Sequence, residues 1–378
     1  MSIKASLRIF LVLIIAISCN DKKEESPYPA DEFIKSGLYL GDYYPSESWR
    51  ECSPGEVGMD KEKLEACNNE IARLIGMDYE IHSVLVIKEG YIVAEQYYNK
   101  YFKKDIEHII HSCTKSFTSA AVGIAVDKGY LDGVDEKMYE FFPEYQIADF
   151  TEAKKSITIR DLLTMSAGLD WHELGLSYSD PQNTFYQWRR VEDRIGFILD
   201  RPVVYQPGST HEYNSGCSDL LSIIVQKTTG MRTDSFASKY LLVPIGIKDY
   251  YWAIDPAGHA VGYGQMRMTS RNMARFGYLY LKNGWWEDEQ LISEAWIAES
   301  RDKQIPVQIS PGASYYGYQF WVTDFGMYTA MGYGGQWIMI LPDYEMIVVF
   351  TNDFEEGDAD KWNTPIRLLT DYIIPGVN

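Results

Sequence analysis

The sequence lacks the short motifs that mark several common enzyme classes. It contains no C-x-x-C pair, no H-E-x-x-H, no P-loop and no G-x-S-x-G. Zinc, nucleotide and α/β-hydrolase chemistry therefore lack their signature motifs. Basic runs are also absent, and the formal net charge is −19 at pH 7. Nucleic acid and anionic membrane surfaces are therefore not expected as partners, because nothing in the chain collects phosphates.

Long apolar runs are scarce as well, and none approaches the roughly 20 residues of a membrane-spanning helix. The run Ile9–Ile17 follows Lys4 and Arg8, which is the pattern of a secretory signal. The small residue before Cys19 resembles a bacterial lipobox, in which the cysteine is lipidated and becomes the mature N-terminus. The alternatives are an ordinary signal peptide and an apolar N-terminus without a targeting role. We expect residues 1–19 to direct export to the bacterial cell envelope, the periplasm or outer membrane, with a lipid as the only membrane contact.

Cysteine is sparse, with five residues in the chain. Cys52 and Cys67 either pair in an oxidising compartment or stay free, and their spacing does not decide between these states. His108 and His111 form H-x-x-H, but before an apolar helix this pattern indicates packing more often than metal binding. We therefore expect no metal and no cofactor.

The residues that are present describe a globular protein with a large core. Hydrophobic residues make up 46% of the 378 positions and aromatic residues 14%. Strand-rich hairpins lie near both chain ends, with helical patterns between them. We predict an α+β fold whose mixed, mainly antiparallel sheet is built from both chain ends and flanked by helices. The predicted domain is 51–378, a mostly helical subdomain is inserted at about 132–273, and the polar residues 20–50 form a tether.

Ser112 and Lys115 form S-x-x-K at the start of a helix predicted over 112–128 and closed by Gly129. Residues three apart share a helix face, so the amine can reach the hydroxyl. A serine hydroxyl needs such a base to become a nucleophile. Burial and the helix N-terminus would lower the lysine pKa from its usual value of about 10.4. The N–H of Ser112 would also serve as an oxyanion donor.

A second S-x-x-K match begins at Ser300, among charged residues and shortly before Pro306. A helix does not continue easily into proline, and a chain of this length contains such matches by chance. We interpret this match as accidental. A proton relay to the leaving group also requires a third residue, for which Tyr97 and Tyr213 are the candidates.

Several stretches, taken in chain order, resemble one known family. They are the S-x-x-K helix, ITIRDLLTMSAGL, PGSTHEYNSGCSDLLSIIVQKTTG, RMTSRNMARFGYLYLKNGWW and YGYQFWV. Together they resemble the serine β-lactamases, penicillin-binding proteins and related esterases, specifically the class C branch. The resemblance covers about Glu51 to the end and implies a β-lactamase/transpeptidase-like fold. In that family the tyrosine motif follows the nucleophile, which favours Tyr213; Tyr97 precedes Ser112 and ends a hairpin.

Two motifs depart from the family pattern. Ser215 stands where the family has Asn, and TAMGYGGQW, 329–337, has no Lys. Setting Ala330-Met331-Gly332 against K-T-G makes the N–H of Tyr333 the second oxyanion donor, with a shift of one or two residues left open. The predicted oxyanion and substrate strand consists of Gly332, Tyr333, Gly334, Gly335 and Gln336. Late G-x-x-G-Q with Y-x-S resembles the 6-aminohexanoate-dimer hydrolase and carboxylesterase relatives more than the lactam-recognising members.

Other residues near these motifs have weaker cases. His211 is either a base or, more often in such a position, a residue that orients its loop. Asp170 and Glu173 either line the cleft or are solvated loop acids. Four aromatic residues shape a groove or pack in the core, and two cysteines are small packing residues. These six are Trp171, Tyr178, Tyr186, Trp188, Cys113 and Cys217.

The sequence predicts an exported serine hydrolase that cleaves an ester or amide of a small molecule or short peptide through an acyl-enzyme. In this interpretation Ser112 is the nucleophile, Lys115 the general base and Tyr213 the proton relay. Two alternatives stay open. One is a binding or sensing protein that keeps the fold without turnover, and the other is a true β-lactamase or D,D-peptidase.

Overall fold

The computed structural model describes residues 27–147, 149–308 and 312–378. The predicted signal segment and Cys19 lie outside these residues. Within the described ranges, no helix combines the length and apolar character needed to cross a bilayer.

Thirteen strands occur in the described residues. They are β1 Ile81–Lys88, β2 Tyr91–Tyr97, β3 His108–Ile109, β4 Tyr251–Trp252, β5 Met266–Met268, β6 Trp285–Trp286, β7 Glu289–Gln290, β8 Ile305–Pro306, β9 Tyr315–Tyr316, β10 Trp321–Val322, β11 Tyr328–Gly332, β12 Gln336–Leu341 and β13 Met346–Asn352.

The same ranges contain twelve α-helices. They are α1 Ala30–Phe33, α2 Lys61–Ile75, α3 Thr114–Asp127, α4 Glu152–Ser156, α5 Ile159–Leu163, α6 Thr184–Trp188, α7 Arg194–Leu199, α8 Ser215–Thr229, α9 Thr233–Ala237, α10 Ser270–Leu281, α11 Glu294–Arg301 and α12 Ala359–Leu368.

One sheet of eight strands forms the scaffold, in the order β2-β1-β13-β12-β11-β10-β9-β8. Each neighbouring pair in this sheet is antiparallel. The N-terminal strand β1 pairs directly with the C-terminal strand β13, with Leu85 opposite Val349. Strands β1 and β13 are buried along their whole length and rich in β-branched residues, as expected for the middle of a covered sheet. The predicted α+β fold with a sheet from both chain ends is confirmed.

Helix α3 lies at the centre of the molecule and is buried on nearly all sides. Its small side chains let neighbouring elements approach closely. A Cβ at Gly123 would lie 2.5 Å from the Trp296 ring, so only glycine fits against α11 there. Phe117 stacks on Phe276 of α10 with ring centroids 3.8 Å apart. The helix that carries the predicted lysine is therefore held rigidly between its neighbours.

The segment 27–50 corrects one prediction, because it is not a tether. Phe33 has no exposed surface, and Trp49 is also buried. Lys35 N–H donates to the Val93 carbonyl of β2, and Arg275 donates to the Pro45 carbonyl. The polar composition of this segment suggested a linker, but its buried aromatic residues anchor it along the edge of the domain. We call residues 27–50 the strap.

The region between α3 and α10 contains helices α4–α9. It also supplies β4 and β5, which pair with β3 in a small antiparallel sheet. Helix α8 begins at Ser215, where the Asn214 side chain accepts a hydrogen bond from Cys217 N–H. This cap places Tyr213 just before the N-terminal end of α8, close to α3.

The cysteines of the described residues are buried free thiols, namely Cys52, Cys67, Cys113 and Cys217. The pairing of Cys52 with Cys67, left open by the sequence, is not formed in this structure. Burial raises the pKa of the Cys52 thiol to about 11 and that of the Cys67 thiol to about 12. Both are therefore protonated and unreactive at neutral pH.

Candidate active site

Ser112 lies in a 3₁₀ turn, His111–Cys113, that leads directly into α3. The α-helix thus begins at Thr114, two residues later than predicted. The turn begins at His111, whose φ of 46° is left-handed and costly for a residue other than glycine. The Thr114 hydroxyl donates to the His111 carbonyl at 2.7 Å, which stabilises the turn. Ser112, which precedes the α-helix, lines the cleft.

Lys115 is 1% exposed, and its amine makes three hydrogen bonds. It donates to Ser112 Oγ at 3.0 Å, to Ser215 Oγ at 3.1 Å and to the Tyr263 carbonyl at 2.8 Å. Burial lowers the pKa of Lys115 to about 8, against the opposing effect of nearby carboxylates. A substantial share of the amine is therefore neutral near physiological pH and able to accept a proton.

The phenol of Tyr213 is close to Ser112. Burial, and after it the charge of Glu173, raises the pKa of this phenol more than the neighbouring Ser112 hydroxyl lowers it, so the group stays protonated. Its ring stacks on Trp321, with centroids 5.7 Å apart, and the Lys115 amine lies 4.9 Å from the ring centre. The alcohol, the amine and the phenol predicted from distant points of the chain lie together.

Glu173 is a functional candidate that the sequence interpretation underrated. It is 1% exposed, and its Oε1 accepts a hydrogen bond from Ser215 Oγ at 2.6 Å. Its Oε2 accepts from Ser215 N–H at 2.9 Å and from Trp171 Nε1 at 2.9 Å. Lys115, Ser215 and Glu173 thus form a continuous hydrogen-bonded chain. The serine that departs from the family's Asn connects the buried amine to a buried carboxylate.

The predicted oxyanion strand ends beside the Ser112 turn. A Cβ at Gly332 would lie 2.3 Å from the Ile110 carbonyl oxygen, so glycine allows this approach. Gly334 and Gly335 have φ of 75° and 85° and form the turn to β12. Among the described residues, no acceptor pairs with the backbone N–H of Ser112 or of Tyr333. Both donors are therefore available for an oxyanion.

The side chain of Gln336 stabilises the turn between β11 and β12 through hydrogen bonds to the backbone. Its side-chain amide donates to the Tyr333 carbonyl at 3.2 Å and to the Asn352 carbonyl at 2.6 Å. Its oxygen accepts from Asn352 N–H at 3.2 Å. Gln336 therefore holds the turn rather than facing a substrate.

Two supporting candidates lie away from the cleft. Asp170 forms an ion pair with Arg201 at 2.6 Å, its other oxygen lies 3.2 Å from His172 Nε2, and it lines neither cavity around Ser112. The acid that reaches the site is Glu173, three residues later. The His211 ring packs against Tyr316 and Trp321, and burial lowers its pKa to about 4. It orients its loop by packing.

The remaining sequence candidates have structural roles. Ser300 donates to the Trp296 carbonyl, Lys303 pairs with exposed Asp324, and Tyr97 donates to the Glu95 carboxylate. The imidazoles of His82 and His108 are hydrogen-bonded to each other at 2.9 Å, and burial lowers both pKa values. Within the described ranges, no group of three or more metal-binding side chains occurs. Trp171 and Trp188 are core residues, Tyr186 lies beneath the Arg190 guanidinium, and Tyr178 lines the cleft.

Two cavities meet at Ser112. One, of about 250 Å³, also includes Arg189, Tyr263 and Gln265 in its wall. The other, of about 460 Å³, includes Tyr213 and a largely apolar wall. Glu173, Tyr178 and Tyr333 border both. Ser112 is therefore reachable from two sides, as a residue that attacks the middle of a substrate must be.

Comparison with known proteins agrees with this geometry. The Beta-lactamase family model matches residues 77–371. The chain therefore belongs to the Beta-lactamase family, as its motifs predicted.

Individual relatives narrow the comparison to hydrolases and penicillin-binding protein homologues. The 6-aminohexanoate-dimer hydrolase of Paenarthrobacter ureafaciens is 23% identical over 365 residues, 91% of this chain and 90% of that protein. A family VIII carboxylesterase structure has a TM-score of 0.63 and 15% identity, covering 82% of this chain and 97% of its own. The octameric penicillin-binding protein homologue from Pyrococcus abyssi has a TM-score of 0.64 and 20% identity, covering 85% and 78%. The two structures show that the fold is shared.

Proposed function

We propose that the protein is an exported serine hydrolase that cleaves an ester or amide bond through an acyl-enzyme on Ser112. The observation that carries this proposal is the Lys115 amine, fully buried, with a pKa of about 8 and 3.0 Å from Ser112 Oγ. A lysine in this state has the two properties that a general base requires, which are reach and a pKa near the working pH.

Acylation follows from the positions of the three groups. The neutral amine of Lys115 takes the Ser112 proton while Oγ attacks the substrate carbonyl carbon. The carbonyl oxygen becomes an oxyanion and accepts hydrogen bonds from the N–H groups of Ser112 and Tyr333. Tyr213 donates its phenolic proton to the departing oxygen or nitrogen and is reprotonated from Lys115. The carbon–heteroatom bond breaks and leaves an ester on Ser112.

Deacylation reverses the proton path with water as the nucleophile. Water gives a proton to the Tyr213–Lys115 pair and attacks the acyl carbon. The bond to Ser112 Oγ then breaks, and Oγ recovers a proton from Lys115. An acid is released and the site returns to its starting state. Lys115 and Tyr213 titrate as a coupled pair during these steps.

The end of β11 favours an ordinary ester or amide over a β-lactam or D-alanyl peptide. Members that recognise penicillin use the Lys and Thr of K-T-G to hold a substrate carboxylate. Here Ala330 and Met331 occupy those positions and offer neither a cation nor a hydroxyl. The relative named as a 6-aminohexanoate-dimer hydrolase, similar over most of the chain, supports the same choice.

Labelling with a fluorophosphonate followed by peptide mass analysis tests the nucleophile. We expect one adduct on the peptide that contains Ser112, lost in Ser112→Ala. The matched control is Ser300→Ala, which removes the serine of the second S-x-x-K and should leave labelling intact. Labelling that survives Ser112→Ala would refute the assignment. A Lys115→Ala variant that keeps most esterase turnover would remove the proposed base.

The absence of the K-T-G lysine and threonine also favours a second candidate function. In this alternative the protein binds its ligand and acylates slowly or never. A panel of p-nitrophenyl esters, nitrocefin and D-Ala-D-Ala peptides separates the two functions. Turnover of the esters supports the hydrolase. Stable acylation of Ser112 by nitrocefin without release, and no turnover of any panel member, would support the binding protein.

Export and lipid attachment at Cys19 form the remaining part of this proposal. It is supported by the N-terminal sequence alone. Cells labelled with a palmitate analogue should yield a labelled protein in the membrane fraction. The Cys19→Ala variant should lose both label and membrane association. An unlabelled, fully soluble wild-type protein would contradict lipidation.

A further inference from the structure

The two cavities at Ser112 assign the two sides of the bond to be cleaved, given the hydrolase proposed above. We infer that the larger cavity holds an apolar or aromatic leaving group. We further infer that the smaller cavity holds a short acyl group bearing its own carboxylate, bound by Arg189. The substrate class is thus a half-ester or half-amide of a short dicarboxylic acid.

The position of Tyr213 indicates which cavity holds the leaving group and which holds the acyl group. This residue lines the larger cavity and is absent from the wall of the smaller one. Since Tyr213 delivers the proton to the leaving atom, that atom departs on the side of the larger cavity. The acyl group, which stays on Ser112, then occupies the smaller cavity.

The wall of the larger cavity suits an apolar leaving group. It is formed largely by hydrophobic side chains, among them Leu174, Trp321, Met331, Trp337 and Trp362. Its rim carries one further carboxylate, Glu356, which accepts from Tyr178 N–H at 2.9 Å and from the Ser177 hydroxyl at 2.8 Å. That carboxylate is already bound by the neighbouring loop and therefore does not define a site for a cation.

The smaller cavity has a guanidinium without an acceptor. Within the described part of the chain, the Arg189 side chain makes neither an ion pair nor a hydrogen bond. It lies by the Phe185 ring, with its guanidinium carbon 5.5 Å from the ring centre. The neighbouring Arg190 lies against Tyr186 and donates to the carbonyl of that residue. Arg189 is thus the free cation of this wall.

The remaining wall is compatible with an anion held at Arg189. The buried carboxylate of Glu173 is fully engaged by Ser215 and Trp171. Tyr263 and Gln265 add neutral polar groups. A guanidinium can pair with a carboxylate through two parallel hydrogen bonds, a geometry that favours a carboxylate over a neutral group. The smaller cavity, at about 250 Å³ against about 460 Å³ for the other, is the one suited to the shorter of the two groups.

A pair of 4-nitrophenyl esters with equal chain length tests the acyl side. The half-ester of adipic acid carries a distal carboxylate, and the hexanoate ester is its neutral counterpart. We expect wild-type kcat/KM to be about 2- to 5-fold higher for the adipate half-ester, because Arg189 is exposed and an ion pair at an exposed side chain is weak. Arg189→Ala should reduce the ratio of the two kcat/KM values to about one. Arg189→Lys should restore part of it.

Arg190→Ala is the matched control, because it removes a neighbouring guanidinium that lines neither cavity. It should leave the adipate to hexanoate ratio at the wild-type value. Trp362→Ala tests the leaving side. It should reduce the preference for a 2-naphthyl over a methyl ester of one acid and leave the adipate to hexanoate ratio unchanged.

The outcomes separate this inference from the hydrolase proposal. Equal use of both nitrophenyl esters by a wild-type enzyme that labels on Ser112 would overturn the carboxylate site and keep the hydrolase. A ratio unaffected by Arg189→Ala would do the same. Absence of both labelling and turnover would overturn the hydrolase, and the substrate class with it.

Discussion

Replacement of Glu173 by glutamine gives the sharpest test of the buried chain behind Ser112. The wild-type base is the neutral form of Lys115, whose pKa is about 8. Activity should therefore rise with pH and level off above that value. Glu173 stabilises the charged form of Lys115, so removing its charge favours the neutral form. Glu173→Gln should move the rising part of the pH–rate profile toward lower pH.

The magnitude follows from two distances. Hydrogen bonds of 3.1 and 2.6 Å join the Lys115 amine to Ser215 and Ser215 to the Glu173 carboxylate. The two charges are thus separated by no more than about 6 Å, and at an effective dielectric constant of about 20 their attraction is about 3 kcal/mol. Partial relaxation of the site reduces the effect, so we expect the profile to move by about one to two pH units.

The assay is kcat/KM for a p-nitrophenyl ester between pH 5 and 10, with folding verified by thermal denaturation at each pH. Asp170→Asn is the matched control, because it removes a carboxylate from the same loop that is paired with Arg201 outside the cleft. That variant should keep the wild-type profile. A Glu173→Gln profile that is unchanged, or that moves to higher pH, would refute the electrostatic role assigned to Glu173.

Further predictions concern the oxyanion strand, the core and the strap. Gly332→Ala places a Cβ 2.3 Å from a carbonyl oxygen of the nucleophile turn, so kcat should fall by about 10²- to 10³-fold. Gly55→Ala, with open space around its Cβ, should retain wild-type kcat. Phe117→Ala should lower the free energy of unfolding in urea by about 3 to 5 kcal/mol, whereas Tyr101→Ala, at a side chain 69% exposed, should change it by less than about 0.5 kcal/mol. A chain that begins at residue 51 should have a free energy of unfolding in urea at least about 3 kcal/mol lower than a chain that begins at residue 27. Equal free energies of unfolding would contradict the packing of the strap.

The catalytic candidates were accessible from sequence because their chemistry depends on local spacing. Ser112 and Lys115 lie three residues apart on one turn, and that spacing brings the two side chains together in a helical conformation. Tyr213 was selected by its order in the family pattern. The structure places the three side chains together, and the labelling and turnover experiments test the roles predicted for them.

The acid of the site was harder to identify, because Asp170 and Glu173 are chemically similar and lie in one loop. Arg201 binds the first on the outer side of the loop. The backbone path directs the second inward, to Ser215 of α8. No local pattern encodes that difference, since the partners are 31 and 42 positions away in the chain.

Hydrophobic period, turn residues and helical spacing act over a few residues, so they were sufficient to predict the main helices and strands, the sheet built from both chain ends and the paired serine and lysine. The tertiary structure was needed to show that 27–50 packs as a strap and that Glu173 is buried beside Lys115. It also decided that Arg189 faces one of two cavities at Ser112. Burial and charge depend on which distant segments meet, and that is set by the packing of the whole chain.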